Sequence, residues 1–334
     1  MADEIPFIPP IPEGLRDAAQ TGKLIPFVGA GASRLAGCPS WSELADRALA
    51  SFVEQGKFTY GQLDQIRHLN PRVRLSIALG LQKEHGVSIK FDKIICPSGR
   101  YDNEIGRRLY GSLAKLGKTF VTTNYDAWLD EYIVDTKPTT AALGQQETAP
   151  ETIVRRKVYD RVDQFIPANL SQPQAVFHLH GSLREPGEMI LTTRNYVQRY
   201  ASDRHADDPA RENRTLTFLE HLFGEKTVLF VGYGLDELEI LEYVIQKAKR
   251  VGSGKETEAK HFMLQGFYSH EYQLMLSLRN YYRNECGIQL LPFLRDQRDF
   301  RQLLEVLEKF ADEVPAADPM HLQKLIEMEA LLAE

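Results

Sequence analysis

Three polar residues stand where short apolar runs end: Asn124 and Asp126 after Thr119–Thr122, and His180 after Ala175–Leu179. An amide, a carboxylate and an imidazole gathered around one crevice can orient a ligand, hold its polar substituents and move a proton. His180 precedes Gly181 at a strand end, so the expectation is a ring that reaches solvent and titrates near neutrality. A fourth element, Gly29-Ala30-Gly31-Ala32-Ser33, follows the run Leu24–Val28. Two glycines at this spacing let a backbone turn sharply and approach a diphosphate, with the N–H groups of the next helix facing the anion. A further tail, Gly232-Tyr233-Gly234-Leu235-Asp236-Glu237, follows Val228–Val231.

Each feature has a plainer reading. The glycines could form only a turn between strand and helix. Arg34 replaces the third glycine of the dinucleotide fingerprint, no second strand ends in an acidic residue about 20 positions later, and no G-K-[ST] is present. An ordinary dehydrogenase and a P-loop nucleotidase are thereby disfavoured. Asp126 could serve as the N-cap of a helix over Ala127–Val134. His178 shares a strand face with His180, a spacing that suits a metal. With no further ligand cluster, however, a buried, hydrogen-bonded His178 is the expectation.

These residues need a scaffold, and the apolar runs supply it. Leu24–Val28, Thr119–Thr122, Ala175–Leu179, Val228–Val231 and His261–Leu264, with Ile288–Leu291 as a sixth, are nearly continuous in β-formers. Runs without polar alternation read as strands buried on both faces, and their separation by helical stretches indicates a parallel α/β sheet. In such sheets ligands sit beyond the carboxyl ends of the strands, where all four polar tails emerge. Residues from about 51 to 114 carry helix-like segments, Pro71–Glu84 and Asn103–Leu116 among them, too long for one crossover. They read as a helical insertion capping the sheet. Residues 136–172 are rich in Thr, Gln and Pro, with Val158–Phe165 as a strand or a helix. Arg301–Ala311 and His321–Leu332 show apolar residues at helical spacing. The chain divides into residues 1–300, holding the sheet and its insertion, and a helical tail, 301–334, that is a candidate oligomer contact.

Composition narrows the classes. A net charge of −6 offers no general attraction to nucleic acid, and the densest basic run, Arg155-Arg156-Lys157, reads as a solvated loop. No apolar run approaches the roughly 20 residues of a membrane helix. Cys38, Cys96 and Cys286 are scattered and odd in number, which speaks against a disulfide framework and against a zinc ribbon. With an acidic amino terminus, a cytoplasmic location is the expectation.

Taken together the motifs resemble the sirtuin family, and within it the bacterial sirtuin-like proteins of antiphage defence. Gly29-Ala30-Gly31-Ala32-Ser33 matches the G-A-G-x-S loop, Thr123-Asn124-Tyr125-Asp126 the [TQ]-N-x-D segment, and His180-Gly181 the catalytic H-G. Gly232-Tyr233-Gly234-Leu235-Asp236 matches the late loop at the adenosine half. The resemblance implies a Rossmann-like fold binding NAD+. Gly29, Ala30, Gly31 and Ser33 would hold the diphosphate and neighbouring ribose. Asn124 would orient the nicotinamide ribose or the attacking water, Asp126 would hold the carboxamide, His180 would act as general base, and Gly232 and Asp236 would lie near the adenosine ribose. The protein deacetylases of the family carry two C-x-x-C pairs around zinc and a G-I-P-x-F-R segment. This chain lacks the former and reads Gly37-Cys38-Pro39-Ser40-Trp41 at the latter. The resemblance therefore implies a zinc-free NAD+ glycohydrolase releasing ADP-ribose and nicotinamide, an NAD-depleting effector of abortive infection. It would need no cofactor beyond NAD+ as substrate, and its control would come from homo-oligomerisation or from a partner such as a HerA-type ATPase. A non-catalytic NAD or ADP-ribose binder, and a zinc-free deacylase or ADP-ribosyltransferase, are the alternatives.

Overall fold

The computed structural model describes residues 4–134, 152–200, 213–234 and 260–314. Seven strands form one parallel sheet: β1 (Leu24–Val28), β2 (Thr119–Thr122), β5 (Lys157–Tyr159), β6 (Ala175–His178), β7 (Thr227–Val231), β8 (His261–Phe267) and β9 (Ile288–Leu294). Their spatial order is β5-β6-β2-β1-β7-β8-β9, and every neighbouring pair is parallel. A separate antiparallel pair, β3 (Glu131–Val134) and β4 (Thr152–Arg155), stands apart from the sheet. All residues of β1, β2, β6 and β7 are buried, as strands covered on both faces must be. The fold is a Rossmann-like α/β sheet flanked by helices.

One face of the sheet packs Phe27, Phe177 and Phe230 against α9 (Arg214–Glu225) and α10 (Tyr272–Tyr281) through Phe218, Leu222 and Met275. The other face buries Val28, Phe120 and Val231 beneath α1 (Glu13–Gln20), α7 (Glu104–Leu116) and α11 (Gln302–Glu313). On α7 the buried residues Leu109, Tyr110, Leu113 and Leu116 recur at the spacing of one helical stripe. On α11 Leu303, Val306, Leu307 and Phe310 do the same, so this part of the carboxyl-terminal segment packs on its own domain. The helical reading of His321–Leu332 lies outside the described residues.

A third apolar cluster belongs to a helical cap. Leu44, Ala48, Leu49 and Phe52 of α3 (Trp41–Glu54) meet Leu75 and Ala78 of α5 (Pro71–His85), with Phe91 and Ile95 of α6 (Phe91–Ile95). Ser40 starts α3 with a capping box through Glu43, and Asn70 with Pro71 starts α5. The cap rests on the sheet end through Tyr125, Met189 and Leu191. The helices of the cap thus begin at Trp41, ahead of the position near residue 51 that the sequence suggests, while α7 belongs to the sheet layer.

Two local expectations are corrected. Val158–Phe165 is neither one strand nor one helix, because β5 ends at Tyr159 and a 3₁₀ turn covers Val162–Gln164. Ala127–Val134 is a turn followed by β3 rather than a helix. Among the described residues no helix is long and apolar enough to cross a membrane.

Candidate functional site

The sheet order reverses at β1, whose neighbours are β2 on one side and β7 on the other. The carboxyl ends of these strands meet at that switch point, the place where open α/β sheets hold ligands. Their loops are joined backbone to backbone. The N–H of Gly29 donates to Val231 O (2.8 Å) and that of Gly31 to Gly232 O (2.8 Å). A Cβ on Gly31 would sit 2.8 Å from Gly232 O, so the bare α-carbon is required by the neighbouring loop. Much of the room that the glycines leave is filled by Gly232 and Tyr233. Gly29 is the N-cap of the short helix α2 (Ala30–Leu35), which carries Ser33 on its buried side.

Ser33, Asn124 and Asp126 form one hydrogen-bonded network. Asn124 Nδ2 donates to Ser33 Oγ (2.7 Å) and to Gly29 O (3.0 Å), and Ser33 Oγ donates to Asp126 Oδ2 (2.6 Å). Since the serine proton is committed to Asp126, the contact with Tyr110 Oη (3.2 Å) makes the tyrosine the donor. The other Asp126 oxygen accepts from the Trp128 N–H (3.2 Å), so Asp126 does cap the chain behind it, at a turn. Thr122 Oγ1 donates to Val28 O (2.7 Å) and accepts from the Asn124 N–H (3.0 Å), which fixes the β2 tail against β1. Among the described residues the Asn124 side-chain oxygen has no partner, and Asn124, Ser33 and Asp126 line a cavity of about 40 Å³. Its other walls include Cys38, Pro39, Trp41 and Leu44 of the cap.

Burial sets the charges. It raises the Asp126 carboxyl above its ordinary range, opposed in part by the hydrogen bonds from Ser33 and Trp128. Burial, with the Asp126 charge, also raises the Tyr110 hydroxyl, which keeps its proton for Ser33. The Cys38 thiol is pushed up in the same way and stays a thiol.

His178 is wholly buried and joined at both nitrogens: Nδ1 donates to Asn124 O (2.8 Å) and Nε2 meets Asp130 Oδ1 (2.8 Å). It supports the β2 tail from behind, in keeping with a structural histidine. Among the described residues no group of three or more His, Cys, Asp or Glu side chains is placed to hold a metal.

His180 differs from the sequence reading. It is buried, and its Nε2 lies 2.9 Å from the Tyr200 hydroxyl. Tyr196 and Tyr200, one turn apart on α8 (Thr193–Tyr200), stand edge-on to the ring, with centroids at 6.1 and 5.9 Å. Burial, aided by the charges of Arg199 and Arg72, pushes the imidazole down to about 3. The ring therefore does not titrate near neutrality, and it is absent from the walls of the Asn124 cavity. Gly181 beside it has φ +77° and no room for a side chain, since a Cβ would lie 2.6 Å from Glu188 O.

Gly29, Ala30, Gly31, Ser33, Asn124, Asp126 and Gly232 thus gather at the β1–β2–β7 end, while His180 lies one strand further along under α8. Asp236 lies outside the described residues. Sequence reasoning missed Tyr110, which no local spacing ties to Ser33, and the pair Thr123–Tyr233, whose hydroxyls are 3.0 Å apart. It also missed Tyr196 and Tyr200, whose i, i+4 spacing on one helix face was the available signal.

A family model described as a SIR2-like domain matches residues 118–291, from the residue before β2 into β9. No curated protein matches the chain. The matched span is more than half of the 334 residues and contains Asn124, Asp126, His180 and Gly232. The chain belongs to the SIR2-like domain family, and with that membership comes an NAD-related function of the sirtuin superfamily.

Proposed function

We propose that this protein is an NAD+ glycohydrolase, cleaving the nicotinamide–ribose bond with water as acceptor. The observation that carries this reading is the Asn124–Ser33–Asp126 network at the sheet's switch point, whose three residues line a cavity and whose Asn124 side-chain oxygen has no partner among the described residues. Asp126 would hold the nicotinamide carboxamide, whose amide N–H groups match a carboxylate, and Ser33 orients that carboxylate. The Asn124 oxygen would position water or a ribose hydroxyl. Loss of neutral nicotinamide leaves a cationic ribosyl centre, and positioning with electrostatic stabilisation is what such a site can contribute. His180, neutral at any working pH, would accept a proton once Tyr200 gives up its hydrogen bond. The glycine loop would lie along the diphosphate. No zinc or redox cofactor enters this chemistry.

The cavity of about 40 Å³ admits water but not a nicotinamide ring. Since the cavity also opens to solvent, a substrate would enter from that side and displace the cap side chains that narrow it beside Ser33 and Asp126. That narrow arrangement also favours a second reading, a binder of NAD or ADP-ribose that does not turn over. In the first reading the same narrowness would restrain an enzyme that otherwise depletes NAD, as an abortive-infection effector must be restrained. Homo-oligomerisation or a defence partner such as a HerA-type ATPase would relieve it.

The test is nicotinamide release from NAD+, measured by chromatography on the purified protein alone and with the product of its neighbouring gene. Release abolished by Asn124→Ala and by His180→Ala supports hydrolysis. Tight NAD+ binding without release in every condition replaces it with the binding reading. Label from NAD+ transferred to a protein would establish a transferase instead.

A further inference from the structure

Beside the Ser33–Asp126 network, reached through Tyr110 and Trp128, lies a much larger cleft of about 960 Å³. Six arginines line it: Arg100, Arg107, Arg108, Arg155, Arg156 and Arg184. They come from separate places: the loop before α7, α7 itself, the end of β4 with the residue that joins it to β5, and the loop after β6. Arg108 is held by Glu308 (2.8 Å), and Arg155 pairs with Glu131 (3.1 Å). Arg156 donates to Leu129 O (2.7 Å) and stands over the Phe120 ring. Arg100 and Arg184 are exposed and have no ion pair among the described residues. Four carboxylates also line the cleft, and one of them, Asp130, is committed to His178. The result is a local cationic excess in a protein whose net charge is −6. Tyr101 and Trp128, ring centroids 5.4 Å apart, supply an aromatic wall.

We propose that this cleft is a second ligand site, for a small anion bearing several phosphates. Guanidinium groups supplied to one cleft from separate elements suit a ligand whose anionic oxygens are spread over several ångströms, and the forks of Arg100 and Arg184, which have no ion pair among the described residues, can each hold a phosphate through two hydrogen bonds. The volume is that of a small-molecule pocket, and the carboxylates among the arginines interrupt any continuous track for a nucleic acid.

The cleft shares its wall with the candidate site. Tyr110 lines it and reaches Ser33. Trp128 lines it, stacks on Tyr110 (5.2 Å, 3°) and bonds Asp126 through its N–H. Asp130 lines it and holds His178, which holds Asn124. Each member of the Ser33–Asn124–Asp126 network is therefore one or two contacts from a residue of the cleft wall. Occupancy that shifts Tyr110 or Trp128 acts on that network directly.

The chain's two tryptophans make the site measurable, because Trp41 lines the small cavity and Trp128 the large cleft. In Trp41→Phe, Trp128 emission is followed while tripolyphosphate or ADP is added at low ionic strength, with calorimetry on the wild type as a second measure. The expected result is saturable binding that weakens roughly tenfold or more in the Arg100→Ala/Arg184→Ala double variant and is unchanged in Arg67→Ala, an exposed arginine outside the cleft. Tighter binding of ADP than of tripolyphosphate assigns a nucleotide, and equal binding assigns the phosphates alone. No saturable binding, or equal weakening by Arg67→Ala and by the double variant, overturns the proposal. None of these outcomes depends on nicotinamide release, so the cleft and the proposed hydrolysis stand or fall separately.

Discussion

Nε2 of His178 lies 2.8 Å from Oδ1 of Asp130, and both side chains are buried directly behind the backbone of Asn124. Burial draws the ring toward neutrality, but the Asp130 charge and the hydrogen bonds to Asp130 and Asn124 outweigh it. The imidazole is consequently held above its ordinary value.

The sign of the pH dependence follows from that shift. A base whose pKa is raised on folding stabilises fully below its unfolded value of about 6.5, and the gain is lost as pH rises through the folded value. Asp130→Asn removes the charge while keeping the shape. We expect a loss of about 1–3 kcal/mol near pH 6, narrowing as pH rises toward 9. Urea midpoints of both proteins over that range check it, and a gap that widens with pH refutes the assignment.

His180 behaves in the opposite sense. Burial, with the Arg199 and Arg72 charges, pushes its folded pKa down to about 3. The unfolded ring binds its proton first, so stability declines as pH falls from about 6.5 toward 3 and is indifferent to this residue above that. Its Cε1–H resonance should hold a constant shift from about pH 5 to 8. A midpoint near 6.5 would show the ring to be solvated.

Ser33→Ala removes the acceptor of Asn124 Nδ2 and Tyr110 Oη together with the donor to Asp126. Three buried partners are left short by one small change, so a cost of about 1–3 kcal/mol is expected in chemical denaturation. The Asp126 carboxyl should rise further, since the hydrogen bond that lowers it is gone. An unchanged denaturation midpoint would mean that the network contributes no stability.

Two glycine-to-alanine changes should differ in sign. At Gly31 the new methyl would meet Gly232 O at 2.8 Å, and a loss of about 1–3 kcal/mol is expected. At Gly80, inside α5, nothing lies within 4 Å, and alanine should stabilise by about 0.5–1 kcal/mol through helix propensity. Thermal unfolding of the pair, run together, reads both, and a stabilised Gly31→Ala would mean that the loops can part freely.

The sheet was legible because Leu24–Val28 and Val228–Val231 are apolar without alternation, a pattern that strands covered on both faces impose. Asn124, Asp126 and Ser33 were legible because each follows a strand or its glycine turn. The surroundings of His180 were not, because they are made by the folding back of α8 and by Arg72 of the cap, which no local spacing ties to His180. The turn at Ala127 was misread for a similar reason. Helical spacing is present there, but Trp128 is drawn into a stack with Tyr110 and the chain turns to follow it. Tyr110 itself sits in an ordinary apolar stripe, and only the tertiary fold brings its hydroxyl to Ser33.

The seam between Gly31 and Gly232 also bears on how this protein can change. Where a new side chain meets another side chain, trimming the second restores the fit, and the two positions can vary together. Here the obstacle is the carbonyl of Gly232, whose own α-carbon lacks room for a side chain against Ala32 N. No second substitution can clear it. In a random library position 31 should therefore tolerate glycine alone, without compensating variants elsewhere, which makes it a fixed point from which the rest of the site can be altered.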